Sequence, residues 1–181
     1  MIKFLKCKGF EVGNPERNLE ENAGFDIRIP EANEHFIKVF EEDNTGENTN
    51  GVKLFKDSDG EWQISIPVGK VAVIDSGLKT SFPQDIVLEV CNKSGIGRNK
   101  RVIPACGIID SSYQGPLKIC VLNVSDKEQT FPCGSKFIQL VPKKIDINPY
   151  EILDENNMSV EDFYDGVKTE RGEGGFGSTG I

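Results

Sequence analysis

Short runs of β-branched and aromatic residues, set between turn formers, dominate the pattern of this chain. The runs are KVAVIDSGLKTSF (70–82), DIVLEVCN (85–92), KRVIPACGIID (100–110), PLKICVLNV (116–124) and KFIQLVPKKI (136–145). Apolar segments of this length, rich in Val, Ile and Phe, suit extended chain better than helix. The stretches between them, SFPQD, NKSGIG, SSYQGP and FPCGS, carry the Pro, Gly, Asn and Asp that reverse a backbone. Helical spacing is nearly absent. One short helix is expected over residues 159–164, with Ser159 as N-cap and Asp162 three positions on. The pattern predicts an all-β sandwich or barrel.

Residues 32–62 differ in character. DNTGENTNG is a turn cluster flanked by HFIKVF and VKLFKDSDGEWQISI, which reads as an extended acidic hairpin or surface loop. Residues 31–61 hold nine acids against three lysines, a net of −6 out of −8 for the whole chain. A chain this acidic is a poor binder of duplex nucleic acid, which calls for a basic face. The remainder is close to neutral, so a small anionic ligand is compatible with it. At 181 residues the chain fits one core-forming domain. It has no apolar run of the ~18 residues that a membrane helix needs, so no membrane partner and a cytoplasmic location are expected. The five cysteines form no C-x-x-C pair and read as reduced thiols, and one histidine, His35, leaves no basis for a His metal site or a Ser-His-Asp triad.

Three stretches carry candidate chemistry. In GIIDSSYQGPLKI (107–119) a strand ends in an apolar pair and turns through Asp110 and Tyr113, which reads as the mouth of a hairpin. A carboxylate there either caps the turn or acts as a general base on water. In CNKSGIGRNK (91–100), Lys93, Ser94 and Gly95 combine a cation, a hydroxyl and accessible N–H groups, which suits either a plain hairpin loop or an anion cradle. The end of the chain, TERGEGGFGSTGI (169–181), sets Arg171, Phe176, Gly177 and Ser178 among glycines. It lacks the Lys of G-x-x-x-x-G-K-[ST] and is no nucleotide P-loop.

Taken in order, AGFDI (23–27), NKSG (92–95), GIIDSSYQG (107–115), GSKFIQL (134–140) and RGEGGFGSTG (171–180) resemble the five motifs of the homotrimeric dUTPase family. The resemblance runs from about Gly9 onward and makes residues 32–62 an insertion. It implies a β-jelly roll over residues 1–168, a flexible flap over residues 169–181, and a homotrimer whose chains share each active site. Asp110 would activate the water that attacks the α-phosphate of dUTP, giving dUMP and pyrophosphate, a reaction that keeps uracil out of DNA and supplies dTMP synthesis. Tyr113 would lie against the deoxyribose and exclude a 2′-hydroxyl. The backbone of Gly107 and Ile109 would read uracil, and Lys93, Ser94, Gly95 and Gln139 would bind or support the phosphates. Arg171, Phe176, Gly177 and Ser178 would close over the nucleotide, and Asp26 would orient nearby basic groups. Mg²⁺ would be carried on the phosphates and water, with no protein ligand.

The chain departs from the family pattern in two places. Lys93 stands where Arg is usual, and Lys136-Phe137-Ile138-Gln139 replaces Arg-Ile-Ala-Gln, so a bidentate phosphate fork is lost while charge is kept. Two alternatives accompany the reading. A dCTP deaminase relative would have a glutamate ten residues beyond Asp110, where this chain has Cys120. A dUTPase-like interaction protein would use the acidic insertion to hold a protein partner.

Overall fold

A computed structural model describes residues 1–17, 21–149, 151–154 and 156–168. The chain divides into two units, Met1–Asp146 and Ile147–Ile181. The first unit is built from β1 (Lys3–Lys6), β2 (Phe25–Arg28), α1 (Glu34–Asp43), β3 (Lys53–Lys56), β4 (Trp62–Ile66), β5 (Val71–Asp75), β6 (Leu78–Ser81) and β7 (Ile86–Asn92), followed by α2 (Ser94–Lys100), β8 (Val102–Pro104), β9 (Ile108–Ile109), β10 (Lys118–Asn123), β11 (Gln129–Pro132) and β12 (Lys136–Lys144). All strand pairs among the described residues are antiparallel, in the orders β1-β6, β5-β10-β8, β11-β4-β3 and β2-β12-β7-β9. The all-β class is as the pattern predicts, and each of the five apolar runs forms one or two strands.

Alternation along the strands builds the core. In β10, Ile119 and Val121 point inward between exposed or half-buried neighbours; Ile27, Ile64, Ile66, Ile74, Leu88, Phe137, Ile138 and Leu140 close the interior from the other strands. In the second unit, α3 (Val160–Phe163) forms where expected. The Ser159 hydroxyl accepts from the Asp162 N–H at 3.1 Å and caps it.

The insertion corrects the expectation. HFIKVF is not a hairpin arm but part of α1, whose first turn is capped by the Asn33 side chain accepting from the Phe36 N–H at 2.9 Å. Phe36 and Phe40, four apart, meet with tilted rings at a centroid distance of 5.9 Å and are 0 and 1% exposed. Their i, i+4 spacing places both rings on one face of a helix, and burying them outweighs the strand preference of a Phe/Ile/Val segment. The rest of the insertion does form a hairpin, β3–β4, turned at Asp57 to Glu61, where the Asp57 carboxylate accepts from the Asp59 and Glu61 N–H groups. It is no surface appendage, since Val52 and Leu54 pack half-buried against the core and β4 runs on past the insertion into the fully buried Ile64, Ser65 and Ile66.

Candidate active site

The ladder β2-β12-β7 brings three separate motifs into one row. Gln139 on β12 pairs with Asp26 on one side and with Cys91 on the other. Directly opposed residues project to the same sheet face, and Lys93 lies two residues beyond Cys91. The close approach depends on Gly24, where a Cβ would sit 2.9 Å from the Leu140 carbonyl oxygen.

Asp26, 6% exposed, is the centre of this row. Its Oδ1 accepts from Lys93 Nζ at 2.5 Å and from Gln139 Nε2 at 3.1 Å, and its Oδ2 pairs with Lys136 Nζ at 3.2 Å. Lys136 continues to Glu16 at 2.6 Å, and Glu16 to Arg28 at 3.0 Å. Burial pushes the Asp26 carboxyl up, but the hydrogen bonds from Lys93, Gln139 and Lys136 outweigh it and hold the group below the usual carboxylate range. Hydrogen bonds from Lys136 and Arg28 lower Glu16 likewise. Three cations thus face two carboxylates, a local positive excess in a chain of net charge −8.

The second motif is not the hairpin loop its Lys-Ser-Gly composition suggests. Lys93 is the N-cap of α2, and Ser94 and Gly95 form its first turn, where the Ile96 and Gly97 N–H groups both donate to the Lys93 carbonyl. Two glycines make a poor helix former, but Ile96 packs on the core and Arg101 ends the helix in a left-handed conformation, so tertiary contacts decide. Asn92, Lys93, Ser94, Gly95, Ile96 and Gln139 line an open pocket of about 390 Å³. A lysine, a hydroxyl, two amides and backbone suit the oxygens of an anion.

Asp110 and Tyr113 stand apart from this pocket within one chain. The flanking strands are not partners of each other: β9 pairs with β7, while β10 pairs with β5 and β8, so residues 110–117 cross between sheets instead of closing a hairpin. Inside the crossing, the Tyr113 N–H donates to the Asp110 carbonyl at 3.1 Å and the Tyr113 hydroxyl to the Pro116 carbonyl at 2.8 Å. Asp110 is exposed, and Tyr113 is 44% exposed. Ile109 pairs with Leu88, so Asp110 leaves β7 near its start while Lys93 leaves at its end. At about 3.3 Å per residue, the two lie roughly 15–20 Å apart along the strand. The Gly107 carbonyl accepts from the Val90 N–H at 2.7 Å. Antiparallel alternation therefore turns Gly107 and Ile109 toward β7 and leaves the Ile108 N–H and C=O on the free edge.

Sequence reasoning missed Glu16, Arg28, Asn92 and Ile96. Arg28 was legible as two residues from Asp26 on one strand face; Glu16 carries no local signal, because only its backbone bridge to Asp26 places it there. Arg171, Phe176, Gly177 and Ser178, with the whole proposed flap 169–181, lie outside the described residues. No group of three or more His, Cys, Asp or Glu side chains able to hold a metal occurs among the described residues. No helix among them is long and apolar enough to cross a membrane.

Fold and pocket define an all-β protein with an anion-compatible site assembled from distant strands. The dUTPase family model matches residues 61–180, which contain the second to fifth motifs, and the chain belongs to the dUTPase family. A deoxyuridine 5'-triphosphate nucleotidohydrolase of Leptospira interrogans is 36% identical over 114 residues, covering 62% of this chain and 72% of its own. One from Yarrowia lipolytica is 29% identical over 117 residues, covering 65% and 69%. Among solved structures, a mutant dUTPase of Staphylococcus bacteriophage 80alpha with dUpNHpp has a TM-score of 0.70 at 19% identity and covers 100% of this chain and 99% of its own. The native EIAV dUTPase has a TM-score of 0.57 at 21% identity and covers 87% and 100%. These structures share the fold.

Proposed function

We propose that the protein hydrolyses dUTP to dUMP and pyrophosphate. The observation that carries this is the family match over residues 61–180, coinciding with a lysine- and amide-lined pocket formed by its second and fourth motifs. Lys93, Ser94 and Gly95 bind phosphate oxygens, with Gln139 and Asp26 orienting the lysine. The Asp110 carboxylate takes a proton from water as the oxygen forms a bond to the α-phosphorus; the bond from that phosphorus to its bridging oxygen breaks, and pyrophosphate leaves. Tyr113 stands against the sugar, where its ring leaves no room for a 2′-hydroxyl. Uracil is read by the Ile108 N–H and C=O on the free edge of β9, because Gly107 and Ile109, the residues the resemblance named, turn their main-chain groups toward β7. Arg171, Phe176, Gly177 and Ser178 complete the enclosure from the flap over residues 169–181. A Mg²⁺ ion carried by the triphosphate supplies charge neutralisation there. The lysine, hydroxyl and amide groups of the pocket suit the phosphate oxygens, not the ion itself.

The separation of Asp110 from Lys93 along β7 supports a site shared between copies, as in a homotrimer. Asp110→Asn and Lys93→Ala are each expected to lose pyrophosphate release, and co-refolding the two is expected to restore a fraction of it through mixed assemblies. Absence of any recovery argues against sharing. The activity itself is tested by pyrophosphate release from dUTP, dTTP, dCTP and UTP. Equal use of UTP, or an active Asp110→Asn variant, refutes the assigned roles. Ammonia release from dCTP marks the deaminase alternative, but Cys120, at the position of that family's glutamate, is a half-buried thiol pushed up to about 11 by burial and by Cys106.

A further inference from the structure

The C-terminal end of α1 is stapled at two points to strands that lead to the Tyr113 crossing. Asn44, just past the helix, presents its side-chain amide to the open edge of β5: Val73 N–H donates to Asn44 Oδ1 at 2.9 Å, and Asn44 Nδ2 donates to the Val73 carbonyl at 2.8 Å and to the Phe40 carbonyl at 2.8 Å. One side chain thereby imitates a neighbouring strand. Asp43 then reaches past β5 to β10, where its Oδ1 meets Lys118 Nζ at 2.6 Å. The Asp43 side chain is 15% exposed and the Lys118 side chain 41%, so the pair is anchored at its acid end while the lysine still meets solvent.

Lys118 is the first residue of β10 and lies two positions after Pro116, whose carbonyl holds the Tyr113 hydroxyl. It pairs across the ladder with Asp75, a buried carboxylate on β5. Lys118 therefore sits between two acids, and the Asp43 hydrogen bond first, then Asp75 and Tyr113, raise its pKa. Leu117, between Pro116 and Lys118, is held by its own N–H to the Leu78 carbonyl at 2.8 Å and by the Ser76 N–H to its carbonyl at 2.9 Å. The exit of the crossing is thus fixed at Pro116, Leu117 and Lys118 in succession. Only the last of these depends on the insertion.

We propose that Asp43, acting through Lys118, is a positioning residue for Tyr113, so that the inserted helix α1 serves the sugar selectivity of the active site. This rests on the dUTP-hydrolysing reading for its functional consequence, though not for its structural one. An ion pair anchored to a helix with two buried phenylalanines transmits the helix's position to the strand end; the ring follows because its hydroxyl is tied to the same strand end.

The test uses Asp43→Asn, Lys118→Met, the conservative Lys118→Arg, and Lys38→Ala, which alters the exposed face of the same helix. Amide hydrogen exchange at Tyr113 and Leu117, and kcat/KM for dUTP against UTP, are measured on the full chain. Asp43→Asn and Lys118→Met are expected to speed exchange at both amides and to lower the dUTP-over-UTP ratio, each about tenfold, because small displacements of a positioning group are costly. Lys118→Arg and Lys38→Ala are expected to leave both near the parent values. Unchanged exchange at Tyr113 and Leu117 overturns the proposal, as does acceleration spread evenly over the whole core. If the parent chain releases no pyrophosphate from dUTP, the functional reading fails, while the exchange result still decides whether Asp43 holds the crossing in place.

Discussion

Replacing Asp26 with asparagine keeps the side chain's size and removes the charge on which Lys93, Lys136 and Gln139 converge. The new amide can still accept from one lysine and from Gln139 through Oδ1, but it places an N–H donor where Oδ2 pairs with Lys136. A hydrogen bond to a charged group nets about 1.5–3 kcal/mol. Lys93 and Lys136 are each about a quarter exposed and can turn partly to water, which lowers the expected loss to about 2 kcal/mol at pH 7. The pH dependence has a definite sign. The folded-state pKa lies below the unfolded value of about 3.9, so this stability is fully present above the unfolded value and disappears as pH falls through the folded one. Urea unfolding of parent and Asp26→Asn chains, at one fixed protomer concentration, is expected to show a lower midpoint with unchanged slope at pH 7 and a gap that narrows below about pH 4. A gap of the same size at low pH, or none at pH 7, refutes the view of Asp26 as the ionised hub of the pocket.

Phe40→Ala is expected to cost about 3–5 kcal/mol by removing a 1% exposed ring from the core, read as a lower urea midpoint; a loss under 1 kcal/mol would mean that α1 is not integral to the fold. Asn44→Ala removes both main-chain partners of Val73 and should lower stability by about 1–3 kcal/mol, with faster amide exchange at Val73 than elsewhere in β5. Burial pushes the Cys133 thiol up to about 12, so at pH 8 about one in ten thousand is ionised. Iodoacetamide followed by peptide mass analysis should leave Cys133 unlabelled until the chain unfolds; prompt labelling in the folded protein contradicts that environment.

Much of the fold was legible because burial leaves a period in the sequence. Runs such as PLKICVLNV and DIVLEVCN alternate or saturate with apolar residues between turn formers, and each became a strand where it was read. The short helix after Ser159 followed from its cap alone. The motif residues were legible as types suited to phosphate and water chemistry, and their order along the chain marked the family. The sequence could not show that HFIKVF is a helix, because the same Phe, Ile and Val residues favour a strand until the core accepts Phe36 and Phe40 on one face. Nor could it show that residues 93–95 start a helix despite two glycines, since packing of Ile96 overrides local propensity. The meeting of Asp26, Gln139 and Lys93 belongs to the register of β2, β12 and β7, and a pairing of strands whose opposed residues lie 48 and 113 positions apart is written in no local pattern. The placing of Asp110 and Lys93 toward opposite ends of β7 is of the same kind. Residue chemistry is carried by each position alone, whereas the distance between positions is set by which backbones find hydrogen-bond partners, and that is decided only when the sheets assemble.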